Sequence, residues 1–546
     1  MGVLERRGAQ AALGALLLVF GGATVRAHTA RVVSGYNQRY RPQVHFSPAR
    51  HWMNDPNGLV YFHGWYHLFF QYNPYGSRWG NMSWGHAVSR DLLHWQQWPV
   101  AIPQGRRSMI FSGSVVVDRH DTSHFGVGAR APLVAIYTAN PRRGPGPQTE
   151  NLAYSTDGGH TWHKYAGNPV LDIGLRNFRD PKVFWYAPRR EWIMVVSRAA
   201  AREISFYASA NLKTWRHTGD FGPAGDTSGV WECPDLFRLP VTNRPGQFRW
   251  VLKVDVQQHR PGTGGGGQVF VGRFDGTTFR ASSEPPQALD LGEDYYASAS
   301  WSNLPGGPGN VITIGWMDNW LYAQDTPTAP WRGAMAFPRR LSLRAQNGRD
   351  WLLQRPIAAL AQLRTAQRSL GSFAAPAGRT LLTVPPRGAA HEIRARVRVG
   401  RRGRFEFTIG SPDGRDVRIG YAAASGRLTV VRSGHYRFSP RFDSRNRALL
   451  PDRPSVIELD LIIDRSSVEA FVDHGELTVA ERMFPRGGAY TVRVRSSGAR
   501  VERMDLWRLR GIWPRPARPS PPAGGSAVPG RFRLNRARHI EGLRAQ

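Results

Sequence analysis

Three acidic residues, Asp55, Asp180 and Glu232, stand in short motifs that combine a proline with aromatic or apolar neighbours. The motifs read Trp-Met-Asn-Asp-Pro-Asn-Gly, Phe-Arg-Asp-Pro-Lys and Trp-Glu-Cys-Pro-Asp. Proline restrains the local backbone and so holds the neighbouring side chains in set directions. Glycoside cleavage commonly uses one ionised and one protonated carboxyl group, and aromatic rings stack on the C–H faces of sugars. The motifs therefore predict a site that cleaves glycosidic bonds, although Asn-Asp-Pro-Asn-Gly alone is also typical of a turn that only joins two strands.

The neighbours of two of these acids in the sequence predict different charge states. Glu232 lies between a tryptophan and a cysteine, an apolar setting that favours its protonated form and suits a general acid. Asp180 has the cations Arg179 and Lys182 beside it, which favour a charged carboxylate. A charged Asp180 suits the binding of sugar hydroxyls and the stabilisation of a developing positive charge.

A repeated turn pattern indicates how these distant acids are brought together. A serine is followed two residues later by Asp or Asn and then by a tryptophan at Ser89, Ser155 and Ser209, which are spaced 66 and 54 residues apart. A repeating unit of about this length that contains several short strands is typical of a β-propeller. The three copies of the turn therefore favour a propeller over a sandwich for about residues 32–343. The high content of glycine (59) and proline (40) suits many short strands joined by tight turns.

The 546 residues are enough for two domains, and changes in composition divide them into five segments. The predicted segments are a signal peptide (1–27), a β-propeller catalytic domain (28–345), a linker with a short helix (346–372), a β-sandwich (373–511) and a basic, Pro/Gly-rich disordered tail (512–546). Arginines before a short apolar run and small residues before position 28 are typical of an export signal, with a retained membrane anchor as the alternative. We therefore expect a secreted protein, extracellular or periplasmic, without a membrane span.

Cys233 is the only cysteine, so the chain has no internal disulfide. No histidine stands near it in the sequence to activate the thiol, and we interpret it as a small wall residue of the site rather than a nucleophile.

The formal net charge of +33 comes from arginines that are spread along the whole chain. Such a surface attracts anionic polymers in general, but the sequence has no basic helix or aromatic–basic motif, so we predict no specific binding of nucleic acid. The basic tail would associate electrostatically with an anionic surface, or it is an extension without a role. The sequence leaves the oligomeric state open.

The order of the motifs resembles glycoside hydrolase family 32, which contains levanases, inulinases and invertases. The resemblance covers about residues 42–510. It is carried by residues 52–58, 69–74, 84–86, 111–114, 179–181, 231–234, 294–297 and 316–317. It implies an all-β protein, with a five-bladed β-propeller followed by a β-sandwich. It also implies a retaining mechanism on β-D-fructofuranosides, without a metal or a cofactor.

The resemblance also implies roles for individual residues. Asp55 would be the nucleophile, Glu232 the general acid and base, and Asp180 with Arg179 would bind fructose hydroxyls and stabilise the transition state. The residues expected to line or wall the fructose pocket are Asn54, Gln71, Trp79, Trp84, Phe111, Ser112, Ser114 and Trp316.

Residues 79–86 resemble the exo-acting fructan hydrolases, so we expect release of terminal fructose from levan or inulin, with sucrose as a smaller substrate. A fructosyltransferase would use the same three acids, and a non-catalytic fructan-binding protein would keep the aromatic residues and lose the acids. The choice between β-2,6 and β-2,1 linkages stays open.

Overall fold

The computed structural model describes residues 35–128, 130–257, 266–307 and 309–513. The predicted signal peptide (1–27) and residues 514–546 of the predicted tail lie outside the described residues. Within the described ranges, no helix is long and apolar enough to cross a bilayer.

The first lobe is a five-bladed β-propeller, which confirms the predicted fold. Its strands in chain order are β1 His51–Phe62, β2 Trp65–Asn73, β3 Ser83–Ser89, β4 Trp95–Ile102, β5 Ser108–Val117, β6 Leu133–Pro141, β7 Thr149–Ser155, β8 His163–Lys164, β9 Phe178–Tyr186, β10 Glu191–Arg198, β11 Glu203–Ser209, β12 Arg216–Phe221, β13 Trp231–Pro240, β14 Phe248–Val256, β15 Gly267–Phe274, β16 Phe279–Ala281, β17 Gln287–Ala288, β18 Tyr296–Ser300, β19 Val311–Trp316, β20 Trp331–Arg332, β21 Arg339–Gln346 and β22 Arg349–Pro356.

The blades are antiparallel sheets that follow one another along the chain. They consist of β1–β4, β5–β8, β9–β12, β13–β17, and β18, β19, β21 and β22. The first strands of the blades, β1, β5, β9, β13 and β18, contact one another in a closed ring, and β20 pairs in parallel with β1. The first strand of every blade therefore faces the propeller axis, where a radial arrangement brings distant parts of the chain together.

The serine–tryptophan repeat forms the same turn in the first three blades. In each copy the serine ends the third strand, and its hydroxyl donates to Oδ1 of the Asp or Asn two residues later at 2.8–3.3 Å. In two copies the tryptophan indole then donates back to a carbonyl of the turn, at 3.1 Å for Trp162 and 3.0 Å for Trp215. The repeat thus marks the connection from the third to the fourth strand of a blade.

The second lobe is a β-sandwich, which also confirms the prediction. Its strands are β23 Arg364–Ser369, β24 Arg379–Val384, β25 His391–Gly410, β26 Asp416–Ala422, β27 Arg427–Ser433, β28 Ser444–Leu449, β29 Val456–Asp464, β30 Ser467–Val472, β31 Leu477–Arg482 and β32 Tyr490–Leu509. The two 20-residue strands β25 and β32 pair along both layers, and β25 pairs first with β29 and then with β26. Alternate residues of these strands point into one apolar core between the layers.

The stretch expected to be a linker with a short helix, 346–372, contains one short helix between two strands. Arg349–Pro356 completes the fifth blade, and Arg364–Ser369 pairs with β32 of the sandwich. Between them, Ala358–Leu363 forms a short 3₁₀ helix that buries Leu360 and Leu363. The helix-like spacing of apolar residues thus gives a helix of only six residues, because most of this stretch obtains its backbone hydrogen bonds from neighbouring strands. The other described helices are 3₁₀ turns at Ala199–Ala201, Ala323–Asp325, Asp473–Gly475 and Arg486–Gly488.

Fully buried ion pairs connect the two lobes. His45, just before β1, contacts Asp464 through Nδ1 at 2.9 Å and Glu469 through Nε2 at 2.8 Å. Glu469 also accepts from Arg339 of the fifth blade at 3.0 Å. The carboxylates belong to β29 and β30 of the sandwich, so the lobes share charges that water does not reach.

Candidate active site

All five inner strands carry a β-bulge near the start of the strand. At each bulge two residues oppose a single residue of the neighbouring strand. These pairs are 54–55 on β1, 111–112 on β5, 180–181 on β9, 233–234 on β13 and 297–298 on β18. A bulge bends a strand and re-aims its side chains. The prolines of the second and third acidic motifs lie in these bulges. Proline has no backbone N–H to donate, and at a bulge the missing donor costs the sheet no hydrogen bond.

Asp55 is buried at the bulge of β1. Its Oδ2 accepts from the Ser112 hydroxyl at 2.6 Å and its Oδ1 from the Asn54 amide at 2.9 Å. Burial raises the pKa of Asp55, and the charge of Glu232 raises it further, while the two hydrogen bonds oppose the shift. The carboxylate is thus oriented by a hydrogen bond to each of its oxygens.

Asp180 lies at the bulge of β9 in a left-handed backbone conformation, with φ +69°. Its Oδ2 accepts from the backbone N–H of Cys233 at 3.0 Å and lies 4.0 Å from Arg179 Nε. Burial raises the pKa of Asp180 to about 7 against the lowering effect of Arg179. Lys182 does not assist, because past the bulge its ammonium is directed to Asp235 and Ser300. The sequence predicted that both Arg179 and Lys182 favour the charged form of Asp180. For Lys182 this prediction is wrong.

Cys233 separates the two aspartates. Its sulfur lies 3.7 Å from Oδ2 of Asp55 and 3.6 Å from Oδ2 of Asp180, so the two carboxylates converge on one side chain. Burial and the two carboxylates raise the pKa of the thiol well above its usual value. A thiol that stays protonated fits the predicted wall residue rather than a nucleophile.

Glu232 faces polar groups. Its Oε1 accepts from Arg179 Nε at 3.0 Å and Nη2 at 2.7 Å, and its Oε2 accepts from the hydroxyl of Tyr296. The apolar setting expected from the neighbouring tryptophan and cysteine is wrong, because adjacent side chains of a strand point to opposite faces. Arg179 thus connects Glu232 and Asp180, and the three acids form one cluster.

Two family models match the chain: Glycosyl hydrolases family 32 N-terminal domain over residues 45–356 and Glycosyl hydrolases family 32 C terminal over residues 359–508. The chain belongs to glycosyl hydrolase family 32. It is 42% identical over 492 residues to the levanase of Bacillus subtilis (strain 168), which covers 88% of this chain and 72% of the levanase. It is 39% identical over 523 residues to the extracellular exo-inulinase inuE of Aspergillus niger (strain ATCC MYA-4892 / CBS 513.88 / FGSC A1513), covering 88% and 96%.

The fold agrees with this membership. The crystal structure of exo-inulinase from Aspergillus awamori superposes with a TM-score of 0.80 at 36% identity, covering 88% of this chain and 100% of that one. This family 32 protein is therefore a glycoside hydrolase, and its acid cluster is the candidate active site.

Some residues expected to line the fructose pocket of this glycoside hydrolase lie at the acid cluster. Asn54 and Ser112 bond directly to the carboxylate of Asp55. Trp79 is partly exposed, at 38%, and packs edge-on against Phe111 with ring centroids 6.1 Å apart.

Other expected pocket residues brace the inner strands. Gln71 donates to the carbonyl of Ile110 at 3.1 Å, and Trp84 donates to that of Phe111 at 2.9 Å. The Ser114 hydroxyl donates to the carbonyl of Pro181 at 2.9 Å, next to Asp180. Trp316 is fully buried and packs against Trp52 and Trp320.

Sequence reasoning missed two contributors to the site. The hydroxyl of Tyr296 donates a hydrogen bond to Glu232. The motif at 294–297 was recognised in the sequence, but it indicated no role for this hydroxyl. Lys253 donates to the carbonyl of Cys233 at 2.7 Å and to Asp255 at 2.5 Å beneath the bulge of β13. Lys253 and Asp255 stand at alternate positions of an ordinary apolar strand, so no signal in the sequence distinguished them.

Proposed function

We propose that this glycoside hydrolase is an exported, exo-acting β-fructosidase. It releases fructose from the non-reducing ends of levan or inulin, and it also cleaves sucrose. The observation that carries this proposal is the cluster of Asp55, Asp180 and Glu232 around Cys233 and Arg179, in a chain whose relatives are a levanase and extracellular exo-inulinases.

The reaction we infer has two steps that retain the configuration of the sugar. In the first, a carboxylate oxygen of Asp55 bonds to the anomeric carbon of fructose while the glycosidic oxygen leaves with a proton from Glu232. In the second, Glu232 takes a proton from water, whose oxygen bonds to the anomeric carbon and releases Asp55. Asp180, aligned by Arg179, stabilises the positive charge that develops on the sugar ring in both steps.

The surroundings of the acids support these roles. Hydrogen bonds to both oxygens of Asp55 fix the direction of attack. Arg179 and the hydroxyl of Tyr296 donate hydrogen bonds to Glu232. These bonds hold its carboxyl group in position while it exchanges a proton. The relatives named above support the substrate class and export.

The test compares wild type with Asp55→Asn and Glu232→Gln on levan, inulin and sucrose, with free fructose as the readout. Each variant should lower kcat by about 100-fold or more, since acid–base or nucleophilic groups contribute effects of this size. Asp157→Asn, a change in an exposed turn of the second blade, serves as the matched control and should keep full activity.

Two further measurements address the mechanism. Rapid acid quenching of Glu232→Gln with a β-fructosyl donor whose leaving group needs no proton, such as fructosyl fluoride, should show a fructosyl adduct on the peptide that contains Asp55, because removal of the adduct still needs Glu232. An unmodified peptide at every time point, although fluoride is released, would contradict the covalent step. Concentrated sucrose should yield free fructose from wild type, whereas fructose-containing oligomers as the main product would instead identify a fructosyltransferase.

A further inference from the structure

A buried chain of two hydrogen bonds leads from the second blade to the backbone of Asp180. The amide of Asp180 donates to the hydroxyl of Thr138 on β6 at 2.9 Å. That hydroxyl lies 3.0 and 3.2 Å from the two carboxyl oxygens of Glu150 on β7. Thr138 and Glu150 stand opposite each other in the β6–β7 ladder, and both are inaccessible to solvent.

The backbone of Asp180 needs such support because it is strained. Its φ of +69° lies in the left-handed region, which costs of order 1–3 kcal/mol for a residue other than glycine. At the bulge, residues 180–181 oppose a single residue of β10, and the Asp180 amide is bound by Thr138. The side-chain direction of Asp180 therefore depends on a hydroxyl of another blade.

A second hydroxyl of the same blade holds the residues that come after Asp180 in the chain. Ser114 donates to the carbonyl of Pro181 and accepts from the amide of Val183, each at 2.9 Å. Ser114 therefore fixes the chain after the bulge, and Thr138 is the group that fixes Asp180 itself.

Glu150 determines which way the Thr138 hydroxyl points. The oxygen of Thr138 accepts from the Asp180 amide, so its single proton is directed to Glu150. Burial, together with the nearby charge of Asp180, raises the pKa of Glu150 well above its usual range. Burial thus favours the neutral form of Glu150, which supplies an acceptor without adding a second negative charge next to the proposed stabiliser of the transition state.

We propose that Thr138 and Glu150 are positioning residues, which hold Asp180 in the conformation that stabilises the transition state. The inference rests on the proposed role of Asp180. Neither residue reaches solvent, so they act on catalysis through Asp180 and do not contact the sugar. Their loss should therefore lower kcat more than it changes KM.

The test is a set of variants assayed for kcat and KM on sucrose and for thermal unfolding. Thr138→Val, which keeps the shape and removes the hydroxyl, should lower kcat by about 10- to 100-fold, because a small misplacement of a catalytic group has effects of this order. Thr138→Ser should restore kcat to within about threefold of wild type, since the hydroxyl returns. Glu150→Gln, a neutral acceptor, should resemble wild type, and Glu150→Leu should resemble Thr138→Val.

Two comparisons separate positioning from general stability. Thr149→Val removes a neighbouring hydroxyl that bonds to Asn151 and should leave kcat unchanged. In an Asp180→Asn background, Thr138→Val should cause little further loss, because the group it positions is already disabled. Additive losses, or an unchanged kcat in folded Thr138→Val, would overturn the inference.

The same variants distinguish failure of this inference from failure of the proposed function. A fully active Asp180→Asn would refute the role of Asp180 itself. An impaired Asp180→Asn together with an active Thr138→Val would refute only the role of Thr138 and Glu150.

Discussion

At the scale of single residues, the site contains two buried aspartates whose desolvation is offset in different ways. Asp55 receives hydrogen bonds from neutral side chains, whereas Asp180 receives one from a backbone amide and lies near Arg179. Burial raises the pKa of both, to about 7 for Asp180. The charge of Glu232 raises the pKa of both aspartates further, and the charge of Asp55 also raises that of Asp180.

Ser112→Ala tests this balance through the pH dependence of kcat/KM. The Ser112 hydroxyl stabilises the charged form of Asp55, so its removal should raise the pKa of Asp55 further. The proposed nucleophile, Asp55, must be ionised to react, so activity should fall as the pH drops through its pKa. The acid limb should therefore move to higher pH by about one unit, since a hydrogen bond to a charged group contributes about 1.5 kcal/mol or more.

The matched control for Ser112→Ala is Ser205→Ala. Its hydroxyl donates to Asp220 at 2.6 Å in the third blade, the same distance as in the Ser112–Asp55 pair. Ser205→Ala should leave the pH dependence of kcat/KM unchanged. An acid limb that stays or moves to lower pH in Ser112→Ala would contradict the assigned hydrogen bond.

At the scale of strands, the sequence predicted the acids and the blades but not the direction of side chains. The three acids could be singled out because prolines and aromatic or apolar neighbours make recognisable motifs. The repeated turn indicated a propeller, whereas the count of five blades came from the family resemblance. Strand bulges, in contrast, depend on the pairing of β9 with β10 or β13 with β14, which no local pattern reports. Lys182 therefore faces away from Asp180, Glu232 faces Arg179, and Ser114 braces β9.

The strand β14 beneath the site gives a prediction about stability. Lys253 and Asp255 form a buried pair, and Asp255 raises the pKa of Lys253 against the effect of burial. Lys253→Met leaves Asp255 without its cation and should reduce the free energy of unfolding by about 3–5 kcal/mol. Lys253→Met combined with Asp255→Leu should recover most of this loss in denaturant titrations. A double variant as unstable as the single one would show that the pair itself is not the cause.

At the scale of the whole molecule, the two lobes are joined through buried charges. His45, from the segment before the propeller, lies between Asp464 and Glu469 of the sandwich, and all three side chains are fully buried. Burial disfavours the imidazolium, but the hydrogen bonds and charges of the two acids outweigh it and raise the pKa of His45 to about 9. In turn, His45 contributes to lowering the pKa of both acids. The contact between the lobes is therefore sensitive to pH in both directions.

His45→Gln should change how stability depends on pH. A histidine whose pKa is about 9 in the folded protein and about 6.5 when unfolded stabilises fully below the lower value, and this stabilisation is lost as the pH rises through about 9. The difference in unfolding free energy between wild type and His45→Gln should thus be largest near pH 6 and narrow by up to about 3 kcal/mol by pH 10. His94→Gln, which removes an exposed partner of Asp91, should follow wild type at every pH. A difference for His45→Gln that stays constant across this range would mean that His45 holds the lobes together by packing alone, without its charge.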